Sequence, residues 1–453
     1  MAQLPQSTTR DSFGSRFGVI AATAGSAVGL GNIWRFPYIA GENGGGAFLI
    51  IYLVFIVLIG LPVMLSEFAI GRSTQRNAFG AFRKLKPGSK WFLVGIMGIA
   101  AAFMINAFYS VIAGWTLEYL VKAASNQFRG TDPQGVSLLF SEFQSSSWRP
   151  LMWTLLFVSI SAFVVIAGIK KGIEKYTKIL MPLLVILILI LGVRSITLPN
   201  ASQGLQFLFQ PDFSKIQASS IIVALGQAFF SLSVGMGTLI TYGSYIQKKE
   251  NLGASTVSVA FADTLIAVLA GVAIFPAVFA FGISPESGPD LVFITLPNVF
   301  AQMKGGYFFA LMFFFLLSVA ALTSTISILE VVVAYFTEEM KISRLKATIL
   351  ASIGIAFLGV LCSLSLYNVP EISIAGVNLF GILEYTASNI LLPVGGFFIV
   401  IFVAWFFKGK LLKAELSSGS RFKIKYYPYF MFLVRYIAPL AIALVFLNGL
   451  GLV

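Results

Sequence analysis

Histidine is absent from the 453 residues and cysteine occurs once. The chain therefore lacks the commonest general base, the commonest metal ligand and any intrachain disulfide. No nucleophile–base set is present either, which argues against an enzyme. Charge is scarce as well: 11% of residues are charged against 58% hydrophobic, with a mean hydropathy of +0.90. That balance lies far outside the soluble range, because a water-soluble core of this size needs more polar surface to cover it. The composition reads as a polytopic integral membrane protein. Cys362, in an apolar run, reads as a packed thiol. The net charge of +13 fits basic cytoplasmic loops better than nucleic-acid binding. The polar start Met1–Asp11 has no signal-peptide pattern.

Apolar runs long enough to span, at roughly 20 residues each, fall at 14–40, 47–71, 91–121, 151–169, 177–197, 218–245, 254–283, 305–336, 346–366, 375–407 and 427–452. These are spans 1 to 11 of one membrane domain over 1–453, and the fold class is all-α. The segments 8–16, 72–90, 170–178, 247–250, 338–346 and 408–425 hold 23 of the 31 basic residues. Alternation of basic and non-basic loops puts the N-terminal segment 1–13 in the cytoplasm and, after eleven spans, the C-terminus outside. The stretch 285–304, with Pro285, Pro289 and Pro297, is too short and broken to span. It reads as an external hairpin that packs into a vestibule.

Span 1 carries Gly25, Gly29, Gly31 and Pro37 in an apolar setting. Interior glycine and proline weaken a helix, and at membrane depth the freed backbone groups need partners inside the protein. Val28-Gly-Leu-Gly-Asn32 recurs as Val234-Gly-Met-Gly-Thr238 in span 6, 206 residues later. Small-residue packing also produces such matches. An odd number of spans separates the copies, so the second runs through the membrane in the opposite direction. This is the mark of an inverted repeat, 14–197 (spans 1–5) against 218–407 (spans 6–10), with 427–452 outside it.

Two antiparallel broken helices place amides and carbonyls around one cavity. Backbone N–H groups near Leu30 and Gly31 suit a carboxylate, and carbonyls at the break of span 6 suit an ammonium, so a free amino acid fits without charged side chains. Asn32, Ser231, Ser233, Thr238, Asp263, Thr323 and Ser324 are oxygen donors of the kind a hard cation such as sodium takes. Serine and threonine in membrane helices commonly bond back to their own helix instead. Asp263 stands apart, since an acid inside an apolar span marks a site. Glu67, Glu118 and Glu330 compete for that argument but lie nearer span ends, where pairing or water is expected. Arg35 with Glu384 toward the outside, and Arg10 with Glu338 toward the cytoplasm, are candidate closing pairs.

Gly25–Pro37, the following Glu42-Asn43-Gly44-Gly45-Gly46-Ala47-Phe48, Ser231–Gly237, Tyr109 six residues before Trp115, and Ala320–Ser324 resemble the neurotransmitter:sodium symporter family. The likeness runs from about Arg10 to Trp405. It implies the LeuT fold, with broken helices 1 and 6, and two sodium ions. The first ion would take Ala27, Asn32, Ser231 and Asp263 plus the substrate carboxylate. The second would take Gly25, Val28, Ala320, Thr323 and Ser324. The substrate pocket it implies comprises Ala27, Leu30, Gly31, Ile105, Tyr109, Phe230, Ser231, Ser233, Met236 and Ile328. Tyr109 would reach the carboxylate and Phe230 would form a lid. Arg35 with Glu384 match the family's outer gate, and Arg10 with Glu338, near Tyr245, the inner one.

Three departures shape the expected activity. Gly29 stands where amine transporters of the family carry Asp, which fits a substrate bringing its own carboxylate. Asp263 occupies a position that is commonly Asn, and Ala267 one that supplies a chloride-binding Ser or an acidic substitute; a fixed charge on Asp263 makes chloride independence the expectation. The sequence given stops after span 11 where most relatives have twelve, which leaves the oligomeric state open, a monomer included. Met236 and Ile105 offer an adaptable apolar wall, favouring bulky neutral amino acids such as leucine, tyrosine or tryptophan. Gly172 and Pro182 in span 5 suggest local unwinding that lets water reach the second sodium, or a kink kept for packing. The resemblance implies sodium-driven import by alternating access across a bacterial plasma membrane, with no nucleic-acid partner. A transport-inactive amino-acid sensor, a channel and a membrane enzyme are the rivals.

Overall fold

A computed structural model describes residues 11–282, 291–367, 373–374 and 376–452. Among the described residues, nine helices are long and apolar enough to cross a membrane: Gly46–Thr74, Phe92–Ala124, Arg149–Ile166, Ile169–Ile196, Leu252–Ala280, Gly306–Glu339, Arg344–Leu366, Leu379–Phe406 and Tyr427–Gly449. They correspond to spans 2–5 and 7–11. Span 1 is a bent pair, Arg16–Ala27 and Gly31–Glu42, with 52° between its halves. Span 6 is a 14-residue helix, Ala218–Ser231, a break, and a short helix Thr238–Gly243. The all-α expectation needs one small amendment: an antiparallel pairing of Ser373–Ile374 with Val377–Asn378 precedes span 10, which starts at Leu379 rather than near 375.

Proline explains much of the helical irregularity. Widened π turns occupy Gly31–Arg35, Ile56–Gly60, Thr386–Leu391 and Leu433–Ile437, and each ends two residues before a proline: Pro37, Pro62, Pro393 and Pro439. In every case the residue just before the proline donates its N–H five residues back, Phe36 to Gly31, Leu61 to Ile56, Leu392 to Ala387 and Ala438 to Leu433. A proline ring clashes with the carbonyl four residues earlier and contributes no N–H. Widening the preceding turn by one residue accommodates that carbonyl without breaking the span.

The long helices of spans 3 and 8 form the packed centre, and large apolar side chains such as Phe163, Phe261 and Phe357 point outward, where lipid covers them. The acids near span ends are paired inside the protein. Glu118 accepts from Trp153 Nε1 at 2.6 Å and meets Arg149 and Lys122. Glu330 accepts from Tyr245 Oη at 2.7 Å and from Arg344. Of the stretch 285–304, expected to be an external hairpin, residues 285–290 lie outside the described residues; the remainder packs on the protein, with Phe293 5.6 Å from the Trp115 ring and a short helix Thr295–Gln302 after it.

Candidate functional site

The breaks of spans 1 and 6 meet face to face. The break in span 6, between Ser231 and Thr238, is carried by positive φ at Ser233 (54°), Gly235 (86°) and Gly237 (74°), a conformation glycine adopts without steric cost. Ser233 Oγ donates to the Ser26 carbonyl at 3.2 Å, while Gln227 Nε2 donates to the Gly31 carbonyl at 3.0 Å and Asn32 Nδ2 to Ser231 Oγ at 3.2 Å. Ser26 thus meets Ser233, while Gly31 and Asn32, farther along span 1, meet the earlier Gln227 and Ser231 of span 6. The two broken segments are antiparallel, as an inverted repeat requires. Glu67 braces the second break from span 2, accepting the Gly235 N–H at 2.7 Å.

Two oxygen-rich clusters flank this meeting point. In the first, Asn32 Nδ2 also donates to Asp263 Oδ1 at 2.8 Å and to its backbone carbonyl at 3.0 Å. Ser231 Oγ donates to Asp263 Oδ2 at 2.8 Å, and Tyr52 Oη lies 3.3 Å from Ser231 Oγ. Ala27 is buried beside this cluster's helix. Ala267, one turn beyond Asp263, is fully buried and apolar, and the Gln227 side-chain oxygen has no hydrogen-bond partner among the described residues. In the second cluster, Thr323 Oγ1 and Ser324 Oγ both approach the Val28 carbonyl at 3.4 Å, and Ser324 Oγ approaches the Ser26 carbonyl at the same distance. Gly25 packs on Thr323, and Thr323 Oγ1 also bonds the Ala320 carbonyl at 3.0 Å.

Tyr109 Oη accepts the Leu30 N–H at 2.8 Å, so a hydroxyl stands at the amide suited to a carboxylate. Gly29 is enclosed: a Cβ there would lie 2.2 Å from Ser324 Oγ and 2.6 Å from Tyr109 Oη. Above this point a cavity of about 300 Å³ opens, lined by Leu30, Gly31, Tyr109 and Phe230 below and by Arg35 and Glu384 above. Ile105, Ser233, Met236 and Ile328 are buried but are not part of its lining.

The gate residues divide. Arg35 and Glu384 share that cavity, yet among the described residues they form no ion pair within 4.0 Å. The Arg35 guanidinium instead lies 4.5 Å from the Phe230 ring centre, a cation–π contact. Arg10 lies outside the described residues. Glu338 accepts from the backbone and side-chain amides of Asn77, both at 3.0 Å. Tyr245 bonds Glu330, and its carbonyl accepts the Phe13 N–H at 3.1 Å. Span 5 is helical throughout in this conformation: a π turn over Ile169–Glu174 contains Gly172, and Pro182 lies within Lys175–Ile196. Gly172 has a packing reason of its own, since a Cβ would meet the Val164 carbonyl at 2.2 Å.

The profile of the sodium:neurotransmitter symporter family matches residues 10–132 and 140–451. The chain belongs to this family. It is 40% identical to the sodium-dependent transporter YhdH of Bacillus subtilis over 97% of each chain. It is 34% identical to the sodium-dependent transporter MJ1319 of Methanocaldococcus jannaschii, covering 97% of this chain and 90% of the other. In fold it matches the crystal structure of MhsT in complex with L-phenylalanine, with a TM-score of 0.90 at 46% identity over 97% of this chain and 100% of that one. The chain is thus a sodium-coupled symporter and not an enzyme. Symporter function assigns meaning to two partners that sequence reasoning passed over: Tyr52 reaches Ser231 at the break of span 6, and Gln227 reaches Gly31 at the break of span 1. Gln227 had a signal, standing four residues before Ser231 and so on the same helical face. Glu67, expected to be paired or solvated, is paired, and its partner is the Gly235 backbone amide of the second break.

Proposed function

We propose that this symporter imports neutral, bulky hydrophobic or aromatic L-amino acids with two sodium ions, independently of chloride, by alternating access. The observation that carries the reading is the enclosure at Gly29 beneath Leu30 and Tyr109. It leaves no room for a side-chain acid at that position, which supports a substrate that brings its own carboxylate. The Leu30 N–H and Tyr109 hydroxyl would hold that carboxylate, and the buried apolar side chains of Ile105, Met236 and Ile328 would face its side chain.

The first ion would sit among Ala27, Asn32, Ser231, Asp263 and the carboxylate after a half-turn of the Asn32 amide presents its oxygen. The second would sit among the Gly25, Val28 and Ala320 carbonyls and the Thr323 and Ser324 hydroxyls. Oxygens 3.4 Å apart there suit neighbouring ligands of an ion roughly 2.4 Å from each, the distance for a cation of calcium's size. A carboxylate shared between substrate and ion makes each raise the other's affinity, which is coupling. The Asp263 charge, already hydrogen-bonded by Asn32 and Ser231, supplies the negative charge that chloride brings elsewhere. Counting Ala218–Gly243 as one broken span gives eleven, with the N-terminus cytoplasmic and the C-terminus outside a bacterial plasma membrane. Arg35 with Glu384 would close the outer path once occupied, and Arg10, Glu338 and Tyr245 the inner one.

Proteoliposomes with and without an inward sodium gradient, tested with labelled amino acids and with chloride replaced by gluconate, decide this. Concentrative uptake of phenylalanine, leucine or tryptophan in both anions is expected. Uptake that stops without chloride overturns chloride independence. Sodium-dependent binding with no uptake identifies a sensor.

A further inference from the structure

We propose that the outer face of the segment joining spans 10 and 11 binds the anionic phospholipid headgroups of the bilayer. Between 408 and 425 stand Lys408, Lys410, Lys413, Arg421, Lys423 and Lys425, and all six are exposed. The segment's single acid, Glu415, is turned the other way. It is buried on the inner face of the short helix Gly409–Leu416, where it accepts from Arg72 Nε at 2.9 Å and pairs with Lys248. Arg72 Nη1 continues the knot to the Glu250 carbonyl at 2.6 Å, which also accepts from Ser418 Oγ at 2.6 Å. The helix is thereby fastened to the end of span 2 and to the loop after span 6, and its Lys410 and Lys413, three residues apart, are held on the exposed side opposite Glu415.

Other basic stretches use cations inward: Arg344 pairs with Glu330, Lys178 with Glu174, and Lys84 Nζ bonds the Thr74 carbonyl. Among the described residues none of the six pairs with a carboxylate, and Lys413 makes only a ring contact with Tyr427, at 4.9 Å. The segment therefore exposes six positive charges and no acid of its own, with its helix tied down before any ligand arrives.

Its position selects lipid over a soluble acidic partner. Trp405 and Phe406 precede the segment and Tyr429 and Phe432 follow it, all exposed at the ends of two spans. Exposed aromatics at span ends sit at headgroup depth. Clusters of four to eight basic residues immediately beside a span attract anionic lipid at this depth.

The test uses the full chain in phosphatidylcholine vesicles with a stepped fraction of brominated phosphatidylglycerol or, separately, brominated phosphatidylcholine. Quenching of Trp405 is read as the difference between the unaltered chain and Trp405→Phe. Brominated phosphatidylglycerol is expected to half-quench at a mole fraction at least about fivefold lower, a preference equivalent to one surface cation. Lys410→Gln with Lys413→Gln, Arg421→Gln and Lys423→Gln should abolish the difference, while Lys→Arg at 410, 413 and 423 should keep it and shows that the segment still folds. Neutralising Arg83, Lys170, Lys171 and Lys175 instead should leave it intact. Equal quenching by the two lipids, a preference that survives the first set, or its loss in the arginine or remote set overturns the proposal.

Discussion

Gly29→Ala is the most searching single substitution, because the site reading depends on that position having no side chain. The added Cβ would lie 2.2 Å from Ser324 Oγ, 3.2 Å from Ser324 Cβ and 2.6 Å from Tyr109 Oη. Ser324 can relieve the first overlap only by rotating away from the Val28 and Ser26 carbonyls, its 3.4 Å neighbours in the proposed second ion site. Tyr109 can relieve its own only by loosening the 2.8 Å bond to the Leu30 N–H. Overpacking of this kind costs about 1–3 kcal/mol, or roughly 5- to 150-fold in an equilibrium constant. Both sodium dependence and substrate affinity should shift together by that factor in equilibrium binding of labelled phenylalanine across a sodium titration. Adding Ser324→Ala removes the closest atom, so substrate affinity at saturating sodium should partly recover while the sodium midpoint stays displaced. A non-additive double-mutant cycle is the signature of direct contact. Binding within twofold of the unaltered chain in Gly29→Ala refutes the reasoning, since it would mean that the break yields freely.

Tyr109→Phe removes one hydrogen bond to a charged group, worth about 1.5–3 kcal/mol; a roughly 10- to 150-fold rise in the dissociation constant for amino acids is expected, and an unchanged value contradicts the carboxylate assignment. Asp263→Asn should make uptake chloride-dependent, measured as the ratio of rates in chloride and gluconate; a ratio that stays at one removes the charge-replacement argument. Glu174→Gln should loosen the start of span 1, because Glu174 Oε2 accepts the Gly14 N–H at 2.7 Å and Oε1 the Ser15 hydroxyl at 3.2 Å. A cysteine introduced on the cytoplasmic path should then label faster, and unchanged labelling would show that these bonds do not hold the inner side shut.

The features legible in the sequence are those whose cause is local in the chain. Gly25, Gly29, Gly31 and Pro37 announce a broken helix because each acts on its own backbone, and the Val28–Asn32 and Val234–Thr238 copies announce its partner. Asp263 announces a site through the cost of an acid in an apolar run. The prolines at 37, 62, 393 and 439 carried a readable rule as well, since each widens the turn before it by the same clash. Features set by the distance between two surfaces were not legible. Arg35 and Glu384 have the charges for a pair, but pairing depends on how far spans 1 and 10 stand apart across the cavity. With the two charges more than 4.0 Å apart, the guanidinium lies instead over the Phe230 face at 4.5 Å. That contact sets the Arg35 charge on the ring of the proposed lid, so drawing Arg35 toward Glu384 would disturb Phe230. On the proposed assignment, closing the outer gate and moving the substrate lid would be two ends of one movement.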